Sequence, residues 1–256
     1  MHIAILGIGE VGSTLATDLL AANVQVSGWD PNPRNIPDGL RFADNNPDAV
    51  KNADIILSTN LAAVAVDVAK EVHDTLQAGQ VYADMNTSSP AIKQAIHHVL
   101  ADSTALFADV AIMAPIAPER ICTPLIASGT GASKFADVYS KFGAPITVLL
   151  EPAGQAATLK LVRSIFYKGL AAVVMETLDA AEQLDIVSYA RQQMLTILKD
   201  EPMIDRFVSG SRKHAARRLH EMDAVIELLQ SINVESHNSV AARQRLSDLL
   251  EKEANE

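Results

Sequence analysis

The stretch His2-Ile3-Ala4-Ile5-Leu6-Gly7-Ile8-Gly9-Glu10-Val11-Gly12 decides the fold. Its opening is a short apolar run ended by glycine, the pattern of a buried strand. Gly7, Gly9 and Gly12 then match the G-x-G-x-x-G template. The first glycine permits a tight turn, the second lets the backbone approach a pyrophosphate, and the third lets a helix pack closely on the strand. A helix starting here aims its unpaired N–H groups at phosphate oxygens. Gly7, Ile8, Gly9, Glu10, Val11 and Gly12 are therefore the expected dinucleotide-contacting run.

Working outward, a second apolar run ends at Asp30, 18 residues beyond Gly12. A carboxylate there accepts hydrogen bonds from the adenosine ribose hydroxyls and repels a 2′-phosphate, which favours NAD. Arg34 follows closely and could instead receive the 2′-phosphate of NADP, so the choice of cofactor stays open. Pro31 also makes Asp30 suitable for a simple Asp-Pro turn.

The alternation continues. Apolar runs at 2–6, 24–29, 54–58, 80–84, 106–110, 124–128 and 146–150 are separated by amphipathic stretches at 11–22, 61–76, 90–100 and 133–141. Strand and helix in turn predict a doubly wound, mostly parallel Rossmann sheet covered by helices. Ligands of such sheets lie at the C-terminal strand ends. That places Thr59 and Asn60 after one strand, and Asn86 and Thr87 after another, beside the cofactor. Helix capping would suit the same residue types equally well.

After residue 150 the alternation stops. Residues 154–184 read as one long helix, and helical periodicity continues at 189–199, 204–208, 212–229 and 236–252. The expected organisation is a Rossmann domain over 1–152 followed by an all-α domain over 153–256. On the long helix Lys160, Arg163, Ser164, Tyr167 and Lys168 share one sector, a polar stripe on an otherwise apolar cylinder. A second basic cluster, Arg212-Lys213-His214-Ala215-Ala216-Arg217-Arg218, leads to Glu221. It is either a surface lattice of ion pairs or a seat for a carboxylate or phosphate.

Composition narrows the function classes. The 256 residues carry a formal net charge of −10, with 48% hydrophobic residues. An acidic chain is repelled by phosphate backbones, which argues against nucleic-acid binding. No apolar run reaches the roughly 18 residues of a membrane span. A single cysteine, Cys122, excludes an internal disulfide and fits a reducing cytoplasm. His97-His98 point different ways on a helix, so no metal site is expected.

These residues together resemble the β-hydroxyacid dehydrogenases, the group of 3-hydroxyisobutyrate and 6-phosphogluconate dehydrogenases. The resemblance rests on the turn at Gly7, on Asp84-Met85-Asn86-Thr87, on Phe107-Ala108-Asp109-Val110-Ala111, and on the lead into Lys160. The segments Leu159-Lys160-Leu161-Val162-Arg163-Ser164 and His214-Ala215-Ala216-Arg217-Arg218-Leu219-His220-Glu221-Met222 are similar to a branch whose C-terminal domain has no assigned function. The resemblance implies NAD(P)-dependent hydride transfer to or from a small hydroxy acid, in a homodimer joined through the C-terminal helices. It also implies Lys160 as general acid and base, with Ser164 standing where the family carries an amide. Asn86, Met113, Ala114 and Arg163 would line the substrate. His214, Arg217 and Arg218 would hold its acidic group, from the partner subunit. Two departures stand out: Ala156 replaces a glycine before the lysine segment, and Met113-Ala114-Pro115 replaces a Ser-Gly-Gly loop. The proline removes a backbone donor from that loop. Within the fold the alternative is an imine reductase-like enzyme, against which Lys160 weighs. Outside it lies a dinucleotide-binding sensor without turnover.

Overall fold

The computed structural model describes residues 1–33 and 35–255. The chain forms two compact units, Met1–Lys160 and Leu161–Glu256.

The first unit is built on an eight-stranded sheet: β1 (His2–Leu6), β2 (Gln25–Trp29), β3 (Arg41–Phe42), β4 (Ile55–Ser58), β5 (Val81–Asp84), β6 (Leu106–Ile112), β7 (Leu125–Ser128) and β8 (Ile146–Val148). Their order is β3-β2-β1-β4-β5-β6-β7-β8. Every pairing is parallel except β6 with β7. The order reverses direction between β1 and β4, which makes the crevice above their C-terminal ends the switch point where such sheets bind ligands. The helices are α1 (Glu10–Ala21), α2 (Asn46–Val50), α3 (Ala65–Val72), α4 (Pro90–Leu100), α5 (Ile116–Glu119) and α6 (Ala132–Tyr139). The two-residue β3 and the short α2 and α5 have no apolar period long enough to read in the sequence. Two apolar cores flank the sheet. One is centred on Ile3, Ile5, Leu15, Leu57 and Phe135, the other on Leu6, Ile56, Ala69, Tyr82 and Ile96. Alternate residues of each strand feed opposite cores, because side chains alternate across a sheet.

The long helix α7 (Gln155–Gln183) gives residues 155–160 to the first unit and its remainder to the second. The second unit continues with α8 (Val187–Leu198), α9 (Glu201–Lys213), α10 (Ala215–Ser231) and α11 (His237–Asn255). Leu161 packs with Met222, Val225 and Leu229 of α10 and with Ala242 and Leu246 of α11. Further along, Ala171 and Val174 meet Ile204 and Phe207 of α9. The continuous helix expected over 212–229 is in fact interrupted at His214, which separates α9 from α10. A 3.6-residue period cannot show that break, because both helices keep the apolar repeat in phase across it.

Candidate functional site

The glycine turn closes as its spacing predicts. Gly7 has φ +103°, and a Cβ on it would lie 2.7 Å from Asn60 N. A Cβ on Gly12 would lie 1.9 Å from Gly7 O, so only glycine lets α1 sit this close to β1. Gly9 is different, since a Cβ there would meet nothing within 4 Å. The middle glycine faces open space, where a pyrophosphate can approach the backbone. α1 starts at this point with no side-chain cap on Gly9, so its first N–H groups keep their affinity for an anion. The residues present therefore fit a dinucleotide. Around them Ile8 and Val11 turn into the apolar core, whereas Glu10 is exposed.

Asp30 folds back over this turn from the end of β2. Its Oδ2 accepts from Ile8 N at 2.8 Å, and its Oδ1 accepts from Asn32 N at 2.8 Å. A carboxylate so oriented retains lone pairs for a ribose diol. Arg34 lies outside the described residues.

The C-terminal strand edges supply the next layer. Leu6, Ser58, Asp84, Asp109 and Ser128 fall in one register row across β1, β4, β5, β6 and β7. Thr59 Oγ1 donates to Gly7 O at 2.8 Å, which ties β4 to the glycine turn. Asn86 Nδ2 donates to Asp84 Oδ1 at 2.6 Å and to Asn60 Oδ1 at 3.0 Å. Lys160 Nζ donates to Thr87 Oγ1 at 2.7 Å. Thr59, Asn60, Asn86, Thr87 and Lys160 are thus brought to one edge of the sheet, as the strand ends require.

Beneath that edge lies a cluster that sequence reasoning missed. Lys93 of α4 is 1% exposed, and Asp84 and Asp109 are fully buried. Lys93 Nζ donates to Asp84 Oδ2 at 2.6 Å and to Asp84 O at 2.8 Å, and it lies 3.3 Å from Asp109 Oδ1. Asp109 Oδ2 in turn accepts from Gly154 N, Ala157 N and Ser128 Oγ at 3.0–3.1 Å. One carboxylate therefore caps the start of α7, one turn ahead of Lys160. Burial alone would lower the Lys93 pKa, but Asp84 and Asp109 outweigh it and hold the ammonium above its ordinary value. A lysine on the apolar face of α4, in step with Ile96 and Leu100, was the signal available in the sequence.

Met113 and Ala114 leave the end of β6. The Met113 N–H is spent on Pro124 O at 2.9 Å, and Pro115 has none to offer.

In the helical unit, Ser164 Oγ donates to Glu221 Oε1, and Lys168 Nζ donates to the same oxygen at 2.6 Å. Ser164 is buried on Glu221 rather than exposed. Arg218 is buried and donates to Ser211 Oγ at 2.7 Å, while Arg163 and Arg217 are exposed. His214 is half-buried at the break between α9 and α10. So the face shared by His214, Arg217, Arg218 and Glu221 divides, with Arg218 and Glu221 inside and Arg217 in solvent.

Residues 2–117 match the model of the NAD-binding domain of 6-phosphogluconate dehydrogenase. An uncharacterized 28.5 kDa protein of Methanothermus fervidus is 31% identical over 245 residues, covering 91% of this chain and 93% of that one. Among solved structures, MTH1747 is a protein of unknown function described as structurally similar to 3-hydroxyacid dehydrogenases. It shares 25% identity at TM-score 0.74, over 97% of this chain and 98% of its own. A 3-hydroxyisobutyrate dehydrogenase from Salmonella typhimurium has the same fold, with TM-score 0.82 at 16% identity, over 97% and 93% of the two chains. Among the described residues no helix is long and apolar enough to cross a membrane. With its glycine turn, strand-edge row and helical second unit, the chain belongs to one family with the Methanothermus fervidus protein, has the fold of the 3-hydroxyacid dehydrogenases, and carries in residues 2–117 an NAD-binding domain of the 6-phosphogluconate dehydrogenase kind, with NAD or NADP as cofactor.

Proposed function

We propose that the protein is an NAD(P)-dependent oxidoreductase acting on the CH–OH group of a small hydroxy acid, with Lys160 as general acid and base. The observation that supports this most directly is the 2.7 Å contact of Lys160 Nζ with Thr87 Oγ1, at the same strand edge as the glycine turn. When bound, the nicotinamide carries the hydride. Lys160 exchanges the proton of the substrate hydroxyl, and Thr87 fixes where its Nζ stands. Asn86, anchored on Asp84, presents its amide beside that position. The hydrogen-bonded Asp30 carboxylate favours NAD over NADP at the ribose.

Residues 1–152 form the cofactor domain in this reading, and 153–256 form the domain for substrate contacts and dimerisation. Ser164 acts through Glu221 and Lys168, and Arg163, His214, Arg217 and Arg218 receive the acid group of the substrate. Met113, its N–H spent on Pro124 O, meets the acid group with its side chain, and Ala114 stands beside it in the chain. In a dimer joined through the helical unit, the exposed apolar side chains of Val173, Leu184, Tyr189 and Ile197, which line a groove of about 700 Å³ between α7 and α8, are the face to be covered.

The test is a panel of hydroxy acids with NAD and NADP, followed at the absorbance of the reduced nicotinamide. Lys160→Ala is expected to slow hydride transfer at least about a hundredfold while cofactor binding survives. Unchanged turnover would remove Lys160 from the mechanism. Tight cofactor binding with no turnover on any acid would make the protein a sensor instead.

A further inference from the structure

The ammonium of Lys93 is enclosed within the fold, and the groups it holds lead in two directions to Lys160. Asp84 and Asp109 are register partners on β5 and β6, so their carboxylates stand side by side on one face of the sheet. Like charges on neighbouring strands repel, and burial raises the cost of each. Lys93 Nζ lies between them, 2.6 Å from Asp84 Oδ2 and 3.3 Å from Asp109 Oδ1, and it donates to Asp84 O at 2.8 Å. The three donors of the ammonium thus have three acceptors, all on these two residues.

The first direction runs through Asp84. Lys93 grips both its carboxylate and its backbone carbonyl, so residues 85–92 form a loop closed at both ends. Asn86 and Thr87 lie in that loop, and Ser89 caps α4 next to them. The other carboxylate oxygen, Asp84 Oδ1, accepts from Asn86 Nδ2 at 2.6 Å. Thr87 Oγ1 accepts from Lys160 Nζ at 2.7 Å. The second direction runs through Asp109, whose Oδ2 accepts from Gly154 N at 3.0 Å and from Ala157 N at 3.1 Å. Ser128 Oγ donates to the same oxygen and accepts from Ala156 N, each at 3.1 Å. These are N–H groups at the head of α7, which no carbonyl of that helix can satisfy. Gly154 also lies against the first residue of α4, since a Cβ on it would be 3.2 Å from Pro90 O. The head of α7 therefore stands on Asp109, Ser128 and Pro90, and Lys160 follows one turn after Ala156.

Both partners of the Lys160–Thr87 contact thus rest on one ammonium, and all of these residues belong to the unit Met1–Lys160. A buried ion pair adds little net stability over apolar side chains of the same volume. What this one adds is geometric, because it ties a strand-end loop and a helix start to a single point. A misplacement of about 1 Å at a reacting group can cost about a hundredfold in rate.

We propose that Lys93 is a positioning residue of the candidate site: through Asp84 it fixes Asn86 and Thr87, through Asp109 it fixes the head of α7, and by both it sets where Lys160 Nζ stands. The consequence for turnover rests on the dehydrogenase reading above, whereas the placing of Lys160 by Lys93 does not.

The experiment uses the full chain, with carbon-13 labelled lysine side chains and without cofactor. The Lys160 signal is identified by its loss in Lys160→Ala, and its position without the Thr87 contact is read from Thr87→Val. In Lys93→Met the Lys160 signal is expected to move most of the way to the Thr87→Val position. Asp109→Asn and Ser128→Ala loosen the head of α7 alone and should move it part of the way. They carry the comparison if Lys93→Met does not fold, and Ser128→Ala does so without changing any charge. Ile96→Ala, at a fully buried apolar position of the same helix α4, is the control for lost stability and should leave the signal in place. Turnover is then measured on the hydroxy acid that wild type oxidises fastest. In Lys93→Met kcat is expected to fall at least about tenfold, with KM for the cofactor within about twofold of wild type. A Lys160 signal that stays in its wild-type position in the folded variants, or that moves as far in Ile96→Ala, overturns the proposal. Lys160-dependent turnover with that signal unmoved leaves the dehydrogenase reading standing and removes Lys93 from it. A moved signal without turnover on any acid would sink the dehydrogenase reading and leave the positioning role intact.

Discussion

Among the described residues two buried ionic clusters stand out, one in each unit, and they are built differently. Under the Rossmann sheet, Lys93 meets two carboxylates, and the second of these also receives the N–H groups of α7. The ammonium and the positive end of α7 offset most of the charge on the two carboxylates. In the helical unit, Glu221 pairs with Lys168, and both Lys168 and Arg218 lie against the Tyr167 ring. There the positive charge exceeds the negative. The first cluster ties β5, β6, α4 and the start of α7 together, whereas the second joins α7 to α10. The same residue types thus join elements in both units, and what separates the two clusters is the ratio of cations to carboxylates.

Breaking the first cluster should have the larger effect. Lys93→Met leaves Asp84 and Asp109 buried together without a cation, and removing one partner of a buried pair costs about 3–5 kcal/mol. Denaturant unfolding would show it as a large fall in midpoint at unchanged slope. A loss near zero would mean that water or a shared proton balances the carboxylates, and the two clusters would no longer contrast.

The pH dependence should also carry opposite signs. Lys93 has its folded-state pKa raised, so its contribution is complete below the ordinary 10.5 and fades only as pH climbs through the higher folded value. Lys168 has its folded-state pKa lowered. In the window between that lower value and 10.5, the unfolded chain binds more protons, and stability gains as pH rises. Carbon-13 labelled lysine side chains, assigned through Lys93→Met and Lys168→Met, would report both titrations. Arg218→Met sharpens the contrast further: relieved of one repelling neighbour, Lys168 should titrate higher. If its titration does not move, Arg218 exerts no field on the cluster.

Much of the cofactor half was legible in the chain alone. Gly7 and Gly12 specify a backbone path that no other residues permit, Gly9 leaves the turn open to a ligand, and the period-two and period-3.6 runs around them leave few topologies. Thr59, Asn60, Asn86 and Thr87 were foreseeable because a parallel sheet delivers every strand end to one edge. Lys93 and Asp109 were not. A charged residue on an apolar face looks like a fault in the pattern until its counter-charges, 9 and 16 residues away, are placed beside it. Arg217 and Arg218 show the same limit from the other side. Adjacent and chemically alike, they differ only in that one turns to solvent and the other lies on Gly210.

The sequence by itself determined the fold class, the dinucleotide turn and the lysine that heads the long helix, since these follow from local backbone geometry and periodicity. Only the tertiary structure decided which charges are balanced and which are left over. Electrostatic balance depends on distances between residues far apart in the chain, and no local pattern encodes those distances.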